Sequence, residues 1–186
     1  ERLILWLSWA RTTFGEWVVR EGEEIKKESL KSEEIPLTPF LNGESNIAKF
    51  QNPKIPSRTD FRNWYTLTID GSDAKDLDDA ISIRQEKNGD YLLAVHIADV
   101  AEYVLENSVL DREALMRTTS TYTPGKVIPM LPEVLSNDLC SLHPGKMKLT
   151  LSCVMTIDPN GYVKHTDIVE GIIESQYRGV YEDIAK

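Results

Sequence analysis

Apolar residues recur at helical spacing at the start of the chain: Leu3, Leu7, Ala10, Phe14, Trp17 and Val18 share one face, and a polar Glu-Lys run follows from Glu21 to Lys31. This period predicts a helix over residues 1 to about 31. Between 35 and 64 neither helical nor strand period holds. Pro36, Pro39, Pro53 and Pro56 gather there around Asn42-Gly43, which predicts an extended linker or wrap. From Thr66 onward the pattern shortens to strands. Thr66–Ile69 and Ala80–Ile83 read as two short strands, and Asn88-Gly89 between Ala80–Arg84 and Tyr91–Ala98 predicts a hairpin with a type I′ turn.

Further along, Leu110–Thr118 reads as a helix capped by Ser108, Val127–Met130 as a short apolar run between prolines, and Glu133–Asn137 as a short helix. Leu149–Ile157 is a strand, Asp158-Pro159-Asn160-Gly161 a turn, Tyr162–Ser175 a long strand or bent hairpin arm, and Val180–Lys186 the start of a helix. The expected fold is α+β: a mostly antiparallel sheet with flanking helices, preceded by a helical N-terminal segment and an extended linker. The expected divisions are a helical segment over 1–34, a proline-containing linker over 35–64 and the main domain over 65–186.

Between the first two strands of that domain lies Asp70-Gly71-Ser72-Asp73-Ala74-Lys75-Asp76-Leu77-Asp78-Asp79, five carboxylates in ten residues. A strand-loop-strand unit brings the loop ends together, so Asp70 and Asp79 converge. At ~4 Å each like-charged pair costs about 1 kcal/mol in water and about 4 kcal/mol at an effective dielectric near 20, so a tight cluster needs protonation or a cation. Oxygen ligands without His or Cys suit Mg²⁺, Mn²⁺ or Ca²⁺ rather than zinc. A helix-loop-helix calcium site does not fit, because Lys75 stands at the sixth position where Gly is required and Ile81 at the twelfth where Glu should sit. A solvated turn and a magnesium-type cluster remain.

The chain has 186 residues and a net charge of −9, which argues against a self-sufficient nucleic-acid binder of the basic-patch kind. Cys140 and Cys153 are far apart, with no CxxC spacing, and are expected to be reduced. The apolar opening Leu3–Leu7 is interrupted by Arg11 and Glu16 before the ~18 to 20 apolar residues a membrane span needs. It is also framed by neither a signal n-region nor a cleavage site. The expectation is a cytoplasmic protein with no membrane partner. The chain begins without Met and ends in the start of a helix, so it is read as a fragment.

Three ordered stretches then give the acidic loop a context: Thr68–Ala80, Val95-His96-Ile97-Ala98-Asp99-Val100, and Val127–Leu142. From about Thr66 to Lys186 the chain resembles the catalytic domain of the ribonuclease II and ribonuclease R family, over its N-terminal half. The resemblance implies 3′-to-5′ hydrolysis of single-stranded RNA to nucleoside 5′-monophosphates, with Mg²⁺, or Mn²⁺ in its place, as cofactor. It implies that Asp70, Asp76, Asp78 and Asp79 are the active-site aspartates, whereas Asp73 is a turn residue. Asp70 and Asp79, at the two strand ends, are the expected direct metal ligands, Asp76 is expected to ligate directly or through water, and Asp78 is the candidate for the carboxylate whose loss stops chemistry while sparing RNA binding. Tyr122 matches the tyrosine that stacks near the 3′-terminal nucleotide.

Other residues carry weaker readings. His96 reads as a satisfied structural histidine, His143 and His165 as surface or turn residues, and Asp99 as a helix cap or a group behind the ligands. Arg112, Arg117, Lys126, Lys146 and Lys148 are candidate phosphate contacts. Complete family members continue into a second half of the catalytic domain that supplies an aromatic clamp and an Arg-rich segment, and that half or a partner chain is expected to complete the site. The alternative is a non-catalytic RNA- or partner-binding fragment of a split or truncated member.

Overall fold

Gly15 gives its carbonyl to the amides of Val18 and Val19 at 3.0 and 3.2 Å, and the turn continues as helix α1 (Glu16–Ser29). The computed structural model of the chain describes residues 13–29, 37–39 and 58–184; the first half of the expected N-terminal helix and most of the expected linker lie outside them. The chain divides into two compact units, Glu1–Ser32 with Val100–Leu139 and Glu33–Asp99 with Cys140–Lys186.

In the first unit α1 buries Val18 and Gly22. A Cβ on Gly22 would stand 2.8 Å from Val134 Cγ1, so glycine permits this approach. Helix α2 (Val109–Arg117) begins where Ser108 Oγ accepts the Asp111 amide at 3.0 Å, the expected cap, and ends at Thr118, whose amide returns to the Ala114 carbonyl. Glu21 of α1 accepts the Leu110 amide at 2.9 Å, and Lys26 pairs with Asp138 at 2.8 Å. Arg117, a candidate phosphate contact in the sequence, is instead structural. Its side chain is buried against Glu113 at 2.9 Å, donates to the carbonyls of Pro129 and Thr13, and lies 3.8 Å over the Phe14 ring. The unit also holds a two-stranded ribbon, β6 (Thr121–Thr123) and β7 (Lys126–Ile128), and a π-helical turn over Leu135–Leu139 where an ordinary short helix is predicted.

The second unit is one eight-stranded sheet in the order β1-β2-β9-β8-β5-β4-β3-β10. Its strands are β1 (Leu37–Pro39), β2 (Arg58–Asp60), β3 (Thr66–Asp70), β4 (Asp79–Gln85), β5 (Tyr91–Ala98), β8 (Met147–Ile157), β9 (Val163–Glu174) and β10 (Tyr177–Val180), followed by a short helix α3 (Tyr181–Ile184). The central ladders from β9 through β3 are antiparallel, while β1-β2, β2-β9 and β3-β10 are parallel. This is the expected α+β class. Within the stretch read as linker, β1 and β2 join the sheet and Phe61 is fully buried.

Strand alternation makes the two faces unlike. Leu92, Ala94, His96 and Ala98 of β5 and Lys148, Thr150, Ser152 and Val154 of β8 point inward. His96 is satisfied on both ring nitrogens, by Ser82 Oγ at 2.9 Å and Ser152 Oγ at 2.8 Å, and packs edge-on to Phe61. Burial lowers its pKa to about 4. Phe61 in turn presses on Gly171, where a Cβ would come within 2.9 Å of the ring. On the opposite face the register aligns Ile81, Val95, Cys153 and Ile168 in one row and Ile97 with Leu151 in the next, and Ile83, Ile97, Leu151 and Ile168 are exposed.

The β4–β5 hairpin forms where predicted, but its turn is not type I′. Only Gly89 has a positive φ, +90°, and Asn88 does not share it. The Gly89 amide donates to the Glu86 carbonyl and the Glu86 amide to the Asp90 carbonyl, a type I turn closed by a glycine bulge. The ladder closes by pairing Gln85 with Tyr91, leaving a longer loop than the two residues a type I′ hairpin spans, and Asn88 Oδ1 accepts the Asp90 amide at 3.0 Å within it. Asp158–Gly161 repeats the device between β8 and β9, with Gly161 at φ +89°.

Candidate active site in an acidic loop

Asp70 ends β3 and Asp79 begins β4, so the two carboxylates stand at the mouth of the loop that carries the others. The β3–β4 ladder stops at the pair Leu67–Ile81, leaving both residues beyond the last paired positions. The loop is instead held by three outside contacts. Leu77 is fully buried; its amide donates to Ser141 Oγ at 3.0 Å, Ser141 Oγ donates to the Lys75 carbonyl at 2.8 Å, and the Leu142 amide donates to the Leu77 carbonyl at 2.8 Å. The Ala98 amide at the end of β5 donates to the Asp78 carbonyl at 2.9 Å. Arg178 Nη2, from β10, reaches the carbonyls of Gly71, Ser72 and Ala74 at 3.3, 3.2 and 2.8 Å. Anchored this way, Asp76 directly precedes a buried leucine, and Asp78 and Asp79 directly follow it, on a fixed backbone.

The electrostatics follow from the crowding. The Asp70 carboxyl is held above its ordinary range by burial first, then by Asp79 and Asp76, while Thr68 and Arg178 act in the opposite sense. Asp70 Oδ2 is buried and has no hydrogen-bond partner. Asp78 keeps an exposed surface, yet the protein around its carboxyl desolvates it and raises its pKa, with Asp76, Asp79 and Asp70 adding to the rise. Asp70, Asp76, Asp78 and Asp79 therefore lie within each other's field. Asp73 is exposed and folds back over Gly71, its Oδ1 3.3 Å from where a Cβ on that glycine would stand.

Among the described residues no group of three or more His, Cys, Asp or Glu side chains is closed around a single point as a metal cage. The donor set nevertheless fits a hard divalent cation: all-oxygen, mutually repelling, and with one buried carboxylate oxygen left without a partner. Asp70, Asp76 and Asp79 are the residues that would hold it.

The other sequence candidates lie outside the acidic loop. Tyr122 lies on β6 in the first unit with its ring exposed, paired across the ribbon with Val127. Lys148 is buried on the inner face of β8, and Asp99 pairs with buried Arg58 at 2.8 Å. His165 is an exposed strand residue, 3.1 Å from Asp167. The cysteines are free, and burial pushes the Cys140 thiol up to about 12. The loop anchors Ser141 and Arg178 carry no role in the sequence reading. Ser141 lies within the Val127–Leu142 stretch but its type and position there signal no bond to the loop, and only the return of β10 along β3 brings Arg178 to it. No helix among the described residues is long and apolar enough to cross a membrane.

Residues 58–186 match the RNB domain. Ribonuclease R 1 of Lactococcus lactis is 53% identical over 131 residues, which is 70% of this chain and 16% of that protein. Ribonuclease R of Mycoplasma genitalium, solved in complex with ribose-methylated single-stranded RNA, superposes with a TM-score of 0.66 at 41% identity over 68% of this chain and 20% of that one. Yeast Ssd1, a pseudonuclease, superposes with a TM-score of 0.63 at 29% identity over 67% of this chain and 16% of that one. The chain thus spans about a fifth or less of these relatives. With the family matched over more than half its length, the chain belongs to the RNB-domain family, that of the ribonucleases R.

Proposed function

We propose that this chain carries the carboxylate centre of a 3′-to-5′ exoribonuclease that hydrolyses single-stranded RNA to nucleoside 5′-monophosphates. The observation that carries the reading is the electrostatic coupling of Asp70, Asp76, Asp78 and Asp79 on a braced loop within the RNB domain. Asp70, Asp76 and Asp79 would hold Mg²⁺, or Mn²⁺ in its place. Such an ion, when bound, supplies a polarised water and stabilises charge on the attacking and leaving oxygens. Asp78, exposed beside them, would orient the water by accepting its hydrogen. Tyr122 offers an exposed ring on which a terminal base can stack. The ribonuclease R relatives, one of them solved with single-stranded RNA, support the substrate class.

The test is an assay on 5′-labelled single-stranded RNA with the 186-residue chain, with Mg²⁺ and then with chelator. Stepwise shortening that chelation stops is the expected outcome for a self-sufficient centre. In a full-length relative carrying this segment, Asp78→Asn should abolish shortening while RNA affinity holds; equal loss of both would sink the assignment of Asp78. The second reading, a non-catalytic RNA- or partner-binding piece, is favoured by the likeness to a pseudonuclease. It predicts RNA retention with no metal-dependent shortening.

A further inference from the structure

We infer that Arg178 is a positioning residue for the acidic loop, holding the 71–74 backbone that leads into the segment presenting Asp76, Asp78 and Asp79. The inference rests on the metal-centre reading above for its functional meaning, but its structural part stands alone. Residues 71–74 belong to no ladder, and only the Ala74 amide to Gly71 carbonyl bond, at 3.1 Å, closes a turn within them. Three of this loop's carbonyls, part-buried at Gly71 and Ala74 and exposed at Ser72, converge on a single guanidinium nitrogen. Charge-assisted bonds of this kind are about twice as strong as neutral ones. Arg178 Nε is meanwhile buried without a partner. The arginine is thus seated where the loop carbonyls are, not where all its own donors are satisfied.

Two neighbours explain how it gets there. β10 runs parallel to β3, with Arg178 opposite Thr68 and Val180 opposite Asp70. Gly179 has no side chain to hold the strands apart, for a Cβ there would stand 2.9 Å from the Thr68 carbonyl oxygen. The close strand pair carries the guanidinium across the mouth of the loop. Arg178 and Ser141 then divide the work: the arginine holds 71–74 and the serine holds 75–77. Asp76 sits in the half held by Ser141, directly after the half held by Arg178. A loosened first half lets the repelling carboxylates drift apart.

The experiment compares the 186-residue chain with R178Q and R178K, folding being checked by circular dichroism and thermal melting. Mn²⁺ affinity is read by electron paramagnetic resonance and loop order by amide hydrogen exchange at Ala74. R178Q should weaken Mn²⁺ binding by about 10-fold or more, the usual scale for a group that orients ligands, and speed Ala74 exchange. R178K, which keeps the charge but has no planar fork, should recover part of both; it also serves as the test if R178Q does not fold. Native Mn²⁺ affinity in R178Q overturns the inference even if exchange quickens, since the arginine is then a brace only. If the unsubstituted chain binds no Mn²⁺, the metal-centre reading fails, and unchanged Ala74 exchange in R178Q would overturn the bracing as well.

Discussion

Asp70 and Asp78 are carboxylates that the fold makes harder to ionise. A carboxyl raised in the folded state above its ordinary value of 3.8 binds protons there more readily than in the unfolded chain. Stability therefore falls as pH rises from about 3.8 through the raised value, and the deficit persists at neutral pH. Replacing Asp78 by Asn removes it. In the metal-free chain D78N should melt about 2 °C higher than the native protein at pH 7, because water screens the exposed group and keeps the gain below about 1 kcal/mol, and no higher at pH 3. Parallel melts at the two pH values check this. His96 works in the other direction. Its pKa of about 4 lies below the ordinary 6.5, so the unfolded chain takes up a proton that the folded one refuses, and stability is lost as pH falls from about 6.5 to about 4. The loss is on the order of 3 kcal/mol. H96Q, which can still bond Ser82 and Ser152, should flatten this part of the stability–pH curve measured by urea unfolding.

At the scale of elements, what was legible in the sequence was what short-range chemistry decides. The strands flanking the acidic loop, the Ser108 cap and the Asn88-Gly89 hairpin each depend on residues a few positions apart. The turn type did not follow, because the ladder closes at Gln85–Tyr91 and leaves a loop longer than the two residues a type I′ turn spans. Arg117 looked free because its partners, Phe14, Thr13 and Pro129, are supplied by folding. The acidic residues could be named from their pattern, but not what holds their loop, since Ser141 and Arg178 lie far along the chain. Two substitutions test these elements. Leu77→Ala empties a fully buried position and should cost about 2 to 5 kcal/mol in chemical denaturation, loosening the loop with it. Gly171→Ala should destabilise by about 1 to 3 kcal/mol, because the added methyl meets the Phe61 ring and Ser152 Oγ.

Across the whole molecule, the net charge of −9 is accompanied by exposed apolar residues on one face of the sheet. Ile83, Ile97, Leu151 and Ile168 form a patch of the kind that solvatochromic dyes and surfactants find. The native chain should brighten 1-anilinonaphthalene-8-sulfonate below its melting temperature, and I168K should reduce that signal while shifting stability by no more than about 0.5 kcal/mol. Equal brightening in both would show that the dye reads another surface.

The parallel seat of β10 against β3 also sets an order of events during synthesis. Arg178 lies 104 residues after Ala74, the carbonyl it holds most closely. At about 5 to 20 residues per second, the acidic stretch leaves the ribosome roughly 5 to 20 s before the arginine that gathers it. During that interval the β3–β4–β5 meander can pair while the first half of its loop stays open. The carboxylates are therefore brought to order by one of the last described strands to be made, and the nascent chain carries its acidic residues well before it carries a finished site.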